Sequence, residues 1–149
     1  MAASTAPEAK RRVLVLLRAR AALAGVDIGW SAPTEAEDLP RGGEMVYLGD
    51  VTQTGEWRVL GAGRRDEEYT VGLTVWVQQD GDDMQATEER SWLILDEVSG
   101  AIYTDPTLSN LLLQSMEILS ASQRVGVASA DATGSRIDAV LRCNARFIP

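Results

Sequence analysis

Hydrophobic and polar residues alternate most strictly over residues 68–79, EYTVGLTVWVQQ. Tyr69, Val71, Leu73, Val75 and Val77 fall on one face, and Thr70, Thr74, Trp76 and Gln78 on the other. A period of two, carried by β-branched and aromatic residues, predicts a half-buried strand. No other stretch matches it in length and regularity, so it reads as the central strand of an antiparallel sheet. Gly72 is its one weak position and marks a bulge or a close backbone approach.

Other segments return to the same period. Residues 26–30 (VDIGW) read as a short first strand, and 45–51 as a second. Gln53-Thr54-Gly55 has turn chemistry, and 56–60 (EWRVL) is expected to pair back as a hairpin. A second turn over 61–67 (GAGRRDE) leads into the central strand, completing a three-stranded meander. Residues 113–122 and 124–128 read as one long, bulged strand, and 129–135 (SADATGS) as a polar loop. The last strand, 136–147, sends Ile137, Ala139, Leu141, Cys143, Ala145 and Phe147 one way. Arg136, Asp138, Arg142, Asn144 and Arg146 go the other, with Val140 the one apolar residue among them.

Two stretches carry the helical period instead. Residues 8–24 are strong helix formers, with Pro7 at the start, Glu8 in the first turn and Gly25 as the stop. Their apolar stripe is Val13, Leu17, Ala21 and Ala24, with Leu16, Arg20 and Leu23 beside it. Asp82 or Asp83 caps the second helix. Ser91, Ile94, Leu95, Val98 and Ile102 cluster on one side of it, while Leu93 points nearly the opposite way and Trp92 sits on the flank. This helix ends between 100 and 104, Asp105-Pro106 opens a turn, and Leu108, Leu111 and Leu112 form a small apolar patch. Residues 1–6 are small and polar and are expected to be disordered. The Pro-, Gly- and charge-rich stretch 31–44 reads as a long loop. The sum is one α+β domain over 1–149: a mainly antiparallel sheet of about 4–5 strands with two helices on one face.

Composition narrows the function classes. A net charge of −8 opposes general nucleic-acid affinity, which depends on positive side chains releasing counterions. Histidine is absent, so the commonest general base and metal ligand are missing. The single Cys143 excludes a thiolate zinc site and an internal disulfide. The basic cluster Lys10-Arg11-Arg12 precedes an apolar run of only 13–17, too short for a signal sequence. No run approaches transmembrane length.

The constellations that invite chemistry have simpler explanations. Asp80, Asp82 and Asp83 lack the spacing of a calcium loop and read as a turn and helix cap. Gly61-Ala62-Gly63 with Arg64-Arg65 lacks the phosphate-loop lysine and lies between strands, so it reads as a hairpin loop. Cys143 sits on an apolar strand face with nothing to activate it. Glu88-Glu89 and Asp96-Glu97 are adjacent on a helix and diverge by about 100°, so neither pair converges on one atom. No catalytic residue, cofactor or metal site is expected.

Two surfaces stand apart. A two-layer fold leaves one sheet face bare, and this one carries Thr70, Thr74, Trp76 and Val140. The outer side of the second helix carries Trp92 and Leu93. Apolar groups in such places predict that another chain covers them.

The element order and several local signatures resemble the tail terminator (tail completion) proteins of long-tailed bacteriophages. The resemblance rests on the first helix up to Ala24, the strand EYTVGLTVWVQ and the acidic turn into ATEERSWLILDEV. DPTL at 105–108 and the closing AVLRCNARF continue it, so it spans nearly the whole chain. It implies a structural, non-enzymatic virion protein that is assembled in the host cytoplasm. Such proteins form a homo-oligomeric ring, typically a hexamer, on the head-proximal end of the tail tube. The ring ends tube polymerisation and presents the docking surface for the neck of the head. Its partners are the tail tube protein and a neck or head-completion protein. DNA passes through the lumen without specific binding, and no membrane is involved. Six copies at −8 each would make an acidic ring that repels phosphate. Glu37, Asp38 and Arg41 in the long loop, with Arg64 and Arg65, are the candidate contacts to tube or neck. The alternatives are another neck or tail-tube component, or a small cytoplasmic ligand-binding domain or enzyme.

Overall fold

The computed structural model describes residues 4–32, 43–53, 58–60, 64–129 and 132–147. Chain order is helix α1 (Ala6–Ala19), a 3₁₀ turn (Ala21–Leu23), then strands β1 (Asp27–Gly29), β2 (Glu44–Gln53), β3 (Arg58–Leu60) and β4 (Arg64–Asp80). Helix α2 (Met84–Thr104) and strands β5 (Glu117–Ser129) and β6 (Ala132–Phe147) complete it. The fold is α+β. Five strands lie in the order β1-β2-β4-β6-β5, and β3 adds a short sixth on β4. Every pairing is antiparallel except β1 with β2.

The central position of β4 follows from its alternation. β6 pairs with it from Arg65↔Phe147 to Asp80↔Ala132, while β2 and β3 share its other edge. Tyr69, Val71, Leu73, Val75 and Val77 are all buried, and so are Ile137, Ala139, Leu141, Cys143 and Ala145 of β6. Both helices close over this face in one core: Ala9, Val13, Leu14 and Leu17 from α1, and Ile94, Leu95, Val98, Ala101 and Ile102 from α2. Each large side chain so buried contributes about 1.5–3 kcal/mol, so the alternating face supplies much of the fold. At Gly72 the expected close approach exists. Gly49 and Asp50 stand in a bulge of β2, and a Cβ on Gly72 would meet the Gly49 Cα at 3.6 Å.

Several expectations give way to tertiary effects. The meander does not form, because β2 pairs with β4 directly and β3 pairs only with the start of β4. A long run of ladder with β4, from Glu44↔Val77 to Gln53↔Tyr69, outweighs a local hairpin over a good turn sequence. Arg64 and Arg65 consequently belong to β4 itself rather than to a loop. The first helix ends at Ala19, not Ala24. Arg20 turns extended (ψ 115°), and its Nε reaches Glu97 of α2 at 2.9 Å. The helix buries Lys10 and Leu14, whereas Ala21 and Ala24 are exposed.

Residues 113–116 are not strand. Leu108, Ser109 and Asn110 adopt left-handed backbone (φ 52°, 56° and 67°), and the Met116 N–H donates to Pro106 O at 2.7 Å, holding the chain off the ladder until Glu117. Part of the expected polar loop at 129–135 is strand, since β6 starts at Ala132. Ser4 and Thr5 are ordered against Glu67, and Ala6 already opens α1.

Candidate assembly surfaces

The open face of the sheet is a lattice of cross-strand neighbours. Thr70 lies between Thr52 and Arg142, Thr74 between Tyr47 and Asp138, and Trp76 between Met45 and Arg136. Gly72 stands opposite Val140. These residues come together on one surface, as the alternation predicted. They differ in what remains free. Thr74 is buried and donates to Asp138 Oδ1 at 2.9 Å, so its hydroxyl is used within the subunit. Trp76 is half-buried, and among the described residues its Nε1 has no hydrogen-bond partner. Arg136 Nε holds both Asp138 oxygens at 3.0 and 3.1 Å, and this bonding raises the guanidinium pKa. Arg142 pairs with Glu117 of β5.

The second surface lies on α2. Asp83 caps the helix, its side chain accepting from Ala86 N–H at 3.0 Å. That start sets the phase that buries Thr87, Ser91, Ile94, Leu95 and Val98 and turns Leu93 and Trp92 outward. Trp92 is tied down: its Nε1 donates to Gln123 Oε1 of β5 at 2.8 Å. Gln123 Nε2 in turn donates to the Ser91 and Ser135 hydroxyls, both at 2.9 Å. One turn earlier, the Thr87 and Thr133 hydroxyls lie 2.6 Å apart. A polar seam therefore fixes α2 over the β5–β6 hairpin, every member hydrogen-bonded. Sequence reading missed Thr133 and Ser135 because a Ser/Thr/Gly run reads as loop. The available signal was the matching Thr87 and Ser91 on the buried stripe of α2.

Glu37, Asp38 and Arg41 lie outside the described residues. Arg64 and Arg65 enter β4 at the end that β3 flanks, far along the strand from Trp76.

The groups with chemical potential are committed elsewhere. Cys143 is buried in the core, where desolvation pushes its thiol up to about 12. Among the described residues, no three His, Cys, Asp or Glu side chains are placed to hold a metal ion. No helix among them is long and apolar enough to cross a membrane. A cleft of about 270 Å³ between the end of α2 and the start of β5 is lined by Ile102, Tyr103, Pro106, Met116, Ile118 and their neighbours. It is mostly apolar, with Ser99, Ser115 and Glu117 completing its lining.

Comparison with protein-family models finds no match, and neither does comparison with curated proteins. Solved structures do resemble the fold. One is a chain of the virion of a native gene transfer agent (GTA) particle, with a TM-score of 0.60 and 22% identity. The match covers 98% of this chain and 100% of that one. At this identity, the likeness shows a shared fold.

Proposed function

We propose that this protein is a structural component of a phage-like virion: a tail terminator that forms a ring, most simply a hexamer, on the head-proximal end of the tail tube. The observation that carries this reading is the end-to-end likeness of fold to a chain of a gene transfer agent virion. The sequence resemblance to tail terminators adds the place within the particle. A closed ring needs two different complementary patches on each subunit. The open sheet face with Thr70, Thr74, Trp76 and Val140 is one candidate, and the Trp92–Leu93 side of α2 is the other. Their half-buried and exposed apolar groups support that assignment. The segment holding Glu37, Asp38 and Arg41, and the β4 start at Arg64 and Arg65, are the proposed contacts to the tail tube and the neck.

Net charge supports the passage of DNA through such a ring without retention. With −8 per copy, the assembly repels a phosphate backbone. Particles produced without this protein test the assignment. Free heads beside overlong tubes are expected. Tails of normal length beside unjoined heads would instead identify a neck component and overturn the terminator reading.

A further inference from the structure

β5 is an edge strand of thirteen residues, paired among the described residues through one edge only, to β6. Edge strands in free subunits are usually blunted by charge, proline or a covering element. Here charge falls only at Glu117 and Arg124, and the strand also carries Leu119 (50% exposed) and Val125 (44% exposed). Between its two irregularities, at 118–120 and 127–129, the ladder with β6 is regular.

One charge on it is out of balance. Arg124 stands directly opposite Arg136 on β6, and Arg136 is already taken by Asp138. Like charges facing each other across a ladder destabilise it. Arg124 is exposed and makes no hydrogen bond or ion pair among the described residues.

The opposite side of the sheet offers the complement. β1 covers β2 only at 45–47, so the outer edge of β2 at 48–53 has no strand on it among the described residues. Asp50 and Val51 are exposed there. Among the described residues the Asp50 carboxylate accepts no hydrogen bond, although Lys10, which donates to Gly49 O at 3.0 Å, feels its charge. Direction also matches. The pairings β2–β4, β4–β6 and β6–β5 are each antiparallel, so β5 runs opposite to β2. Rotation of a second copy about an axis along the strands brings β5 beside that copy's β2 in antiparallel orientation.

We infer that the outer edge of β5 pairs with the outer edge of β2 at 48–53 in the next copy, with Arg124 facing that copy's Asp50. This rests on the ring reading and adds a strand-edge contact to the two faces proposed there. The contact is heterologous, so it propagates round a ring, whereas β5 against β5 would close a dimer. Trp92, bonded to Gln123 of β5, flanks the same joint from the helical layer.

Charge reversal tests it. Purified wild type, Arg124→Asp, Asp50→Arg and the double variant are compared by mass in solution and negative-stain imaging, alone and with tail tubes. Each single variant should need about tenfold more protein to form rings, and the double variant should recover. Circular dichroism and thermal melting establish that each variant is folded. Single variants that form rings like the wild type overturn the joint and leave the ring reading standing. Arg124→Asp blocking assembly without rescue by Asp50→Arg overturns the pairing partner named here. A wild type that never self-associates, even on tubes, overturns both.

Discussion

Leu93 and Ile94 are adjacent on α2 and face opposite ways: Ile94 is 1% exposed in the core and Leu93 is 55% exposed. A charge at the two positions should therefore have opposite consequences. Leu93→Asp is expected to leave stability within about 0.5 kcal/mol of wild type, as for other surface changes, while blocking assembly. Ile94→Asp should unfold the subunit, because it buries an unpaired charge. Thermal melts paired with mass in solution check both. Normal assembly by a folded Leu93→Asp variant would remove the outer side of α2 from the interface.

The Thr87 and Thr133 hydroxyls, 2.6 Å apart, predict a non-additive pair. Thr87→Val alone leaves Thr133 without its buried partner and should cost about 1–3 kcal/mol. Thr87→Val/Thr133→Val removes both polar groups and should destabilise by less than the sum of the single changes. Urea unfolding of the four proteins measures the coupling. Strict additivity would show that the two hydroxyls do not depend on each other.

At the other end of the core, the buried Glu67 carboxylate accepts from the Thr5 N–H and the Thr5 hydroxyl, each at 3.0 Å, and from the Ser4 hydroxyl. It thereby satisfies a backbone donor at the start of α1, where the N-cap Thr5 side chain makes no cap bond of its own and the Ser4 hydroxyl accepts from the Ala6 N–H at 3.1 Å. Glu67→Ala should cost about 1–3 kcal/mol and release the first turn to rapid amide exchange. Unchanged exchange at residues 5–9 would contradict this anchoring role.

Alkaline pH should weaken the fold. Burial raises the Cys143 thiol from an ordinary 9.0 to about 12, and burial also raises the Tyr69 phenol. Both groups ionise more easily in the unfolded chain, so the stability they confer is complete below pH 9 and is lost as pH rises toward 12. Cys143→Ala should flatten part of that loss. In native protein at pH 8 the thiol should resist a charged thiol reagent that labels it in denaturant. Fast labelling of the native state would place Cys143 outside the core.

What could be read from the sequence followed how local its cause was. The buried face of β4 was legible because five alternating apolar residues allow only one face inward. The α2 stripe was legible because Asp83 starts the helix and fixes its phase. Three features were not. α1 stops at Ala19, where Arg20 turns extended and reaches Glu97, 77 positions away. β2 joins β4 rather than β3, a choice made by ladder length against turn chemistry. Thr133 and Ser135 are strand residues paired with β4 and β5, and their hydroxyls meet those of Thr87 and Ser91 on α2, a match only the packed structure brings together. Alternation put Trp76 and Val140 on the open face of the sheet, and helical phase turned Trp92 and Leu93 outward on α2; their part in assembly is our proposal. The imbalance at Arg124 emerges only from the β5–β6 register.

We propose that this chain closes into a ring that caps a tail tube. Mass in solution, combined with negative-stain imaging of the purified protein with and without tail tubes, tests it most directly. Rings are predicted either in free solution or at one end of each tube, where they halt further growth. A stable monomer that neither forms rings nor binds tubes would contradict the account.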